Sequence, residues 1–216
     1  MSETPSLHSV KTTRTGRVAT LGAPASAAVW WVVLHGYGQL AADFIGHFEP
    51  VVAPNRCVVA PEGLSRFYVD GLERHEEVGA SWMTRVDRAH EIDDYVAYLD
   101  AAVRHLRSGE ETPSIRVLGF SQGAATASRW ALLGDTAVDR LVLWGGAPAH
   151  DLDLAAHADT LRSLNLTLVA GTTDPHVSSE RRNAVRARLR RHDIPVAFQS
   201  FDGGHRIDAE TLQHLV

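Results

Sequence analysis

Gly119-Phe120-Ser121-Gln122-Gly123 closes the apolar run Ile115-Arg116-Val117-Leu118 and opens the small-residue run Ala124-Ala125-Thr126-Ala127. This is G-x-S-x-G between a predicted strand and a predicted helix, the pattern of a nucleophile elbow. The chemistry explains the spacing. A serine pinned at a sharp turn lifts its hydroxyl above the edge of a sheet. Glycine two residues to either side removes the side chains that would collide where strand crosses into helix. The N–H of Gln122 then points to where an oxyanion would form. Standing alone, the pentapeptide also fits an ordinary small-residue turn, so its surroundings decide the reading.

Two apolar runs downstream each end in a turn that carries a partner for the serine. Asn165-Leu166-Thr167-Leu168-Val169-Ala170-Gly171 reads as a buried strand and is followed by Thr172-Thr173-Asp174-Pro175. Val196-Ala197-Phe198-Gln199-Ser200-Phe201 reads as another and is followed by Asp202-Gly203-Gly204-His205. Ligand sites in open α/β sheets gather at the carboxyl ends of the strands, where all three residues fall. The order nucleophile, acid, base is the one that accompanies this kind of elbow. The expected triad is therefore Ser121, Asp174 and His205. Asp174 before Pro175 also suits a plain turn, and His205 a plain surface loop. Rival acids are Asp151, Asp153 and Asp202; rival bases are His176 and His150. Asp202 and His176 lie too close in sequence to their would-be partners to orient well.

Upstream, Val29-Trp30-Trp31-Val32-Val33-Leu34 reads as a strand and runs into His35-Gly36-Tyr37-Gly38-Gln39. Glycines in such a loop allow the dihedrals that aim a backbone N–H inward. The N–H groups of Tyr37 and Gln122 are the expected oxyanion donors. His35 is expected to buttress the loop rather than transfer protons.

With these residues in view, the chain resembles the phospholipase/carboxylesterase family of serine α/β-hydrolases, which includes the acyl-protein thioesterases. The resemblance rests on Leu34-His35-Gly36-Tyr37-Gly38, Ala60-Pro61, Ser81-Trp82, Gly119-Phe120-Ser121-Gln122-Gly123, Gly171-Thr172-Thr173-Asp174-Pro175-His176-Val177 and Gly204-His205. It implies hydrolysis of carboxylic esters or thioesters through an acyl-enzyme, with the roles above and without a metal or organic cofactor. Three departures bear on the substrate. Gln39 stands where the family often has Asp, Ala124 where it has a second Gly, and Met83-Thr84 where it has an aromatic and an Asp. A thioesterase with the same triad, a non-catalytic ligand-binding protein on the hydrolase fold, and a lyase or perhydrolase are the alternatives.

The rest of the chain fits a single α/β-hydrolase domain over residues 1–216, with a mostly parallel sheet and helices on both faces. The expected helices are a short one around Ala41 to Phe48 and four longer ones. Those run from His90 to Arg107 with Gly109 as stop, from Gln122 to Leu133, from about Ser178 to His192, and from a cap at Asp208. Residues 1–9 read as a loose tail, and a strand or hairpin spans Lys11 to Leu21. Residues 61–87 are too long for an ordinary connection and are expected to lean over the active site. Phe67, Tyr68, Trp82 and Met83 would line its substrate pocket, and Glu73 to Glu77 would form its tip. The six arginines between Arg181 and Arg191 read as a solvated helix face.

Net charge is 21 − 26 = −5, which gives no general attraction to nucleic acid or anionic membranes. No apolar stretch is long enough for a membrane helix. The single cysteine, Cys57, sits in an apolar run and is expected as a buried thiol. Met1 to Pro5 has neither a basic start nor an apolar core. A cytoplasmic enzyme acting on a small ester or thioester is the resulting expectation, with no metal site.

Overall fold

A computed structural model describes residues 5–71, 74–107 and 112–216. The central strands are the apolar runs read from the sequence: β1 Val18–Leu21, β2 Val29–Leu34, β3 Arg56–Pro61, β6 Ser114–Phe120, β7 Arg140–Trp144, β8 Asn165–Gly171 and β9 Ala197–Phe201. They form one seven-stranded sheet in the order β1-β3-β2-β6-β7-β8-β9. Every pairing is parallel except β1 with β3. Parallel strands covered on both faces need continuous apolar sequence, and β2, β3 and β6 to β8 are buried along most of their length.

Between the strands lie α1 Ala41–Phe44, α2 Arg88–Leu106, α3 Gln122–Leu133, α4 Ala158–Ser163, α5 Ser179–Arg190 and α6 Ala209–Leu215. One core, under α2, α3 and α5, holds Trp30, Leu99, Trp130, Leu143 and Leu189. The other, under α1 and α6, holds Trp31, Phe44, Trp144 and Leu212. Successive residues of β2 thus face opposite cores, as strand pleating requires. Asp208 caps α6 as expected, accepting from Thr211 N–H.

The structure departs from the sequence reading in several places. The Lys11 to Leu21 strand shrinks to β1. The helix expected around Ala41 to Phe48 is α1 continued by a 3₁₀ stretch, Ile45–Val51. The short helix α4 was not expected. Residues 61–87 are not simple loop: β4 Ser65–Tyr68 and β5 Val78–Ser81 form an antiparallel hairpin. Gly109, part of the expected tip at Glu73, and the first four residues of the tail lie outside the described residues.

Candidate active site

Ser121 sits between β6 and α3 with φ 55° and ψ −114°. An L-residue at positive φ costs on the order of 1–3 kcal/mol and persists only where its surroundings over-determine it. Here the Ser121 N–H donates to the Trp144 carbonyl at 2.8 Å, and the Ser121 carbonyl accepts from Ala124 N–H at 3.0 Å. The flanking glycines are sterically obligatory. A Cβ on Gly119 would lie 2.1 Å from the Gly123 carbonyl oxygen, and one on Gly123 would lie 2.2 Å from that of Leu34.

His205 donates from Nδ1 to Asp174 Oδ2 at 2.7 Å. A carboxylate only accepts, so this bond fixes the Nδ1–H tautomer and leaves the Nε2 lone pair free. The other carboxylate oxygen of Asp174 accepts from the His176 N–H at 2.8 Å. The Asp174 side chain is 1% exposed and that of His205 20%. Two backbone bonds bring the β9 turn to the β8 turn, from Thr172 N–H to the Phe201 carbonyl and from Thr173 N–H to the Gly203 carbonyl, both 2.9 Å. The His205 ring packs on Phe120, the residue before Ser121, with centroids 4.7 Å apart. Gly145 makes room for it: at φ +60°, a Cβ there would stand 2.8 Å from His205 Cε1. No hydrogen bond joins Ser121 to His205 in this conformation. Such bonds are often long until substrate is seated.

The rival acids are engaged elsewhere. Asp151 pairs with Arg129 at 2.8 Å and Arg88 at 2.9 Å. Burial would raise its carboxyl, but the Arg129 and Arg88 hydrogen bonds overcome that and hold it well below the ordinary carboxylate range. Asp153 caps the N–H groups of Ala155 and Ala156. Asp202 accepts from the Thr172 hydroxyl at the surface. The His176 ring stands edge-on to His205 at 4.6 Å, and His150 is exposed.

Neither Tyr37 N–H nor Gln122 N–H donates to another group among the described residues. The loop holding Tyr37 is stiffened from both sides. Gln39 Oε1 accepts from Gly36 N–H at 2.7 Å, so this residue, one of the departures from the family pattern, pins the turn. His35 is fully buried. It accepts from Gly63 N–H at Nε2 and therefore donates from Nδ1 to the Gly36 carbonyl. Burial lowers its pKa, against the opposing Gly36 carbonyl and Glu62, and keeps it neutral. It is a buttress, as expected. Strand β5 joins the same loop through Gly38 N–H to the Ala80 carbonyl, 2.9 Å, and Ala80 N–H to that of Gln39, 3.2 Å.

The expected pocket residues divide. Trp82 and Met83 are buried in the core rather than exposed to a pocket. Trp82 donates from Nε1 to the His35 carbonyl at 2.8 Å and packs on the His35 ring. Its indole N–H found a partner in the active-site loop, which turned the ring inward. Phe67 is half-buried against Tyr37, with centroids 5.0 Å apart, and Tyr68 is exposed and stacked on His75. Sequence reasoning missed the Gln122 side chain. Its Nε2 donates to the Met83 carbonyl and Ser81 Oγ while its Oε1 accepts from Trp82 N–H, tying the elbow to the chain after β5.

The sequence profile of the phospholipase/carboxylesterase family matches residues 16–216. Solved structures share the fold. Acyl-protein thioesterase 2 of Zea mays is 19% identical with a TM-score of 0.72, over 93% of this chain and 96% of that one. A carboxylesterase of Mesorhizobium loti is 23% identical with a TM-score of 0.67, over 93% of each chain. A phospholipase/carboxylesterase of Dyadobacter fermentans is 21% identical with a TM-score of 0.63, over 95% of this chain and 96% of that one. No curated protein sequence matches. Among the described residues no helix is long and apolar enough to cross a membrane. The chain belongs to the phospholipase/carboxylesterase family and is an α/β hydrolase of esterase or thioesterase type.

Proposed function

We propose that this protein is a serine hydrolase that cleaves carboxylic esters of small molecules through an acyl-enzyme. The observation that carries the reading is the 2.7 Å bond from His205 Nδ1 to Asp174, with the ring packed beside the strained turn at Ser121. In this reading His205 Nε2 takes the Ser121 proton as the hydroxyl oxygen attacks the acyl carbonyl. Asp174 stabilises the imidazolium that forms. The N–H groups of Tyr37 and Gln122 hold the oxyanion, and losing one such donor costs roughly a hundred- to a thousand-fold in rate. His205 then protonates the leaving alcohol, and water repeats the cycle on the acyl-enzyme.

Phe67 and Tyr68, on β4 next to the oxyanion loop, are proposed to face the substrate. The lone, buried Cys57 fits a reducing compartment, and the cytoplasm is the proposed location. Thioesters are the second reading, because the maize protein of like fold is an acyl-protein thioesterase.

The test is labelling with a fluorophosphonate probe alongside turnover of nitrophenyl butyrate and butyryl-CoA. One label per chain with a burst of nitrophenol, both lost in Ser121→Ala, is the expected result. Faster cleavage of the thioester makes the second reading the right one. A folded protein that neither labels nor turns over overturns both and leaves a ligand-binding protein on the hydrolase fold.

A further inference from the structure

Two contiguous hollows lie between α5 and the β8–β9 edge of the sheet. The larger, about 330 Å³, is lined by Arg182 and Arg186 together with Leu168, Thr172, Phe198 and Ser200. The smaller, about 200 Å³, shares Gly146, Leu168, Val177 and Arg182 with it and reaches His176. The smaller hollow approaches the candidate site at its His176 end, and Gly146, which both hollows share, abuts the Ser121 backbone. The His176 ring is 4.6 Å from that of His205, and a Cβ on Gly146 would lie 2.9 Å from the Ser121 carbonyl oxygen. The larger volume is at the lower end of the range for small-molecule sites.

The charges lining this space are all of one sign. Arg181, Arg182 and Arg186 are present, and among the described residues no Asp or Glu lines either hollow. The α5 arginines are therefore not a uniformly solvated face. Arg188 is committed to structure, donating to the carbonyls of Pro148, Ala149, His150 and Leu152. Arg181 donates to the His176 carbonyl. Arg182 and Arg186 are half-buried and form no ion pair among the described residues. The Arg186 guanidinium is held 4.2 Å from the centroid of the Phe198 ring. Like charges four residues apart on a helix repel, and half-burial weakens the water that would screen them. A guanidinium presents parallel N–H donors that match a carboxylate or phosphate, and Arg182 and Arg186 both line the larger hollow.

We propose that Arg182 and Arg186 form an anion subsite of the active centre, so that the preferred ester carries a carboxylate or phosphate near its scissile bond. The proposal rests on the serine-hydrolase reading and deepens it. In the acyl arm of the test, nitrophenyl hydrogen glutarate is compared with nitrophenyl valerate, which replaces the carboxylate with a methyl. In the alcohol arm, butyrylglycerol phosphate is compared with monobutyrylglycerol. A charge-assisted contact predicts a preference of about tenfold or more in kcat/KM for the anionic member of at least one pair. That ratio should fall to near unity in Arg182→Ala/Arg186→Ala. It should also fall in Arg182→Gln/Arg186→Gln, which keeps the side-chain stems and guards against misfolding. Removing two exposed charges at the far end of α5, in Arg190→Gln/Arg191→Gln, should leave the ratio unchanged. A ratio near unity in both arms of the wild type, or a preference that survives the double substitutions, overturns the subsite.

If the wild type cleaves none of the four esters, the serine-hydrolase reading is judged separately, by the fluorophosphonate label and thioester turnover. The subsite is then decided by calorimetric titration with glutarate and with glycerol phosphate. Binding that is lost in the double variants supports it, and no binding to the wild type overturns it.

Discussion

Asp174→Asn tests the proposed triad most directly, because its size can be worked from two hydrogen bonds. Asp174 accepts from the His205 Nδ1–H at 2.7 Å and from the His176 backbone N–H at 2.8 Å. An asparagine offers one accepting oxygen and one donating NH₂. The His176 N–H is a fixed donor, so it claims the oxygen. The NH₂ then faces His205 Nδ1, which has to give up its proton. The ring takes the Nε2–H tautomer and has no lone pair for the serine. Flipping the amide restores the productive tautomer but leaves two donors face to face at a buried position, at about 1–3 kcal/mol. At about 1.36 kcal/mol per decade, that alone removes roughly one to two powers of ten in rate. Loss of the charge that stabilises the imidazolium adds the rest. The same substitution in a serine protease triad costs about 10⁴ in kcat, and a loss of that order, about 5.5 kcal/mol in barrier height, is expected here. The assay is kcat for nitrophenyl butyrate, with a denaturant melt to establish folding. A folded Asp174→Asn protein within tenfold of wild-type kcat would refute the tautomer argument and, with it, the role of Asp174.

Three further outcomes follow from the geometry. Gly123→Ala, which drives a methyl against the Leu34 and His35 carbonyls, should lower the melting temperature sharply or prevent soluble expression, whereas Gly46→Ala, with nothing within 4 Å, should melt near wild type. Gln122→Ala strands the Trp82 N–H and leaves the Met83 carbonyl only its bond from the Ser81 hydroxyl, so urea denaturation should report a loss of about 1–3 kcal/mol; unchanged stability would remove the clamp from the account. His35 has a folded-state pKa depressed below its ordinary 6.5. The unfolded chain therefore binds its proton first, and the stability present above pH 6.5 is lost as pH falls from there toward the folded value. The difference in unfolding free energy between pH 7 and pH 5 should be smaller in His35→Gln than in wild type, and an equal difference would mean that His35 is not held neutral.

The sharp turn at Ser121 and most of the sheet were legible because local constraints write them into the sequence. Gly119 and Gly123 are forced by carbonyls a few ångströms away, and the buried strands must be apolar along their length. What was not legible depends on partners far along the chain. Trp82 reads as a pocket wall because it follows a glycine-rich excursion. It is a core residue because its indole N–H meets the His35 carbonyl, 47 positions earlier. The arginines of α5 read as solvated because only Val185 and Leu189 mark an inner face, yet Arg188 reaches carbonyls near Pro148 and Arg186 covers Phe198 of the neighbouring strand. A long cationic side chain can bury its stem and still keep its charge available, so helical periodicity cannot say which arginines face water and which face a hollow. The same limit separates chemistry from specificity in this protein. The turn at Ser121 is specified within five residues, whereas the walls proposed to select a substrate come from β4, α5 and the β8–β9 edge, segments far apart along the chain that only the fold can arrange.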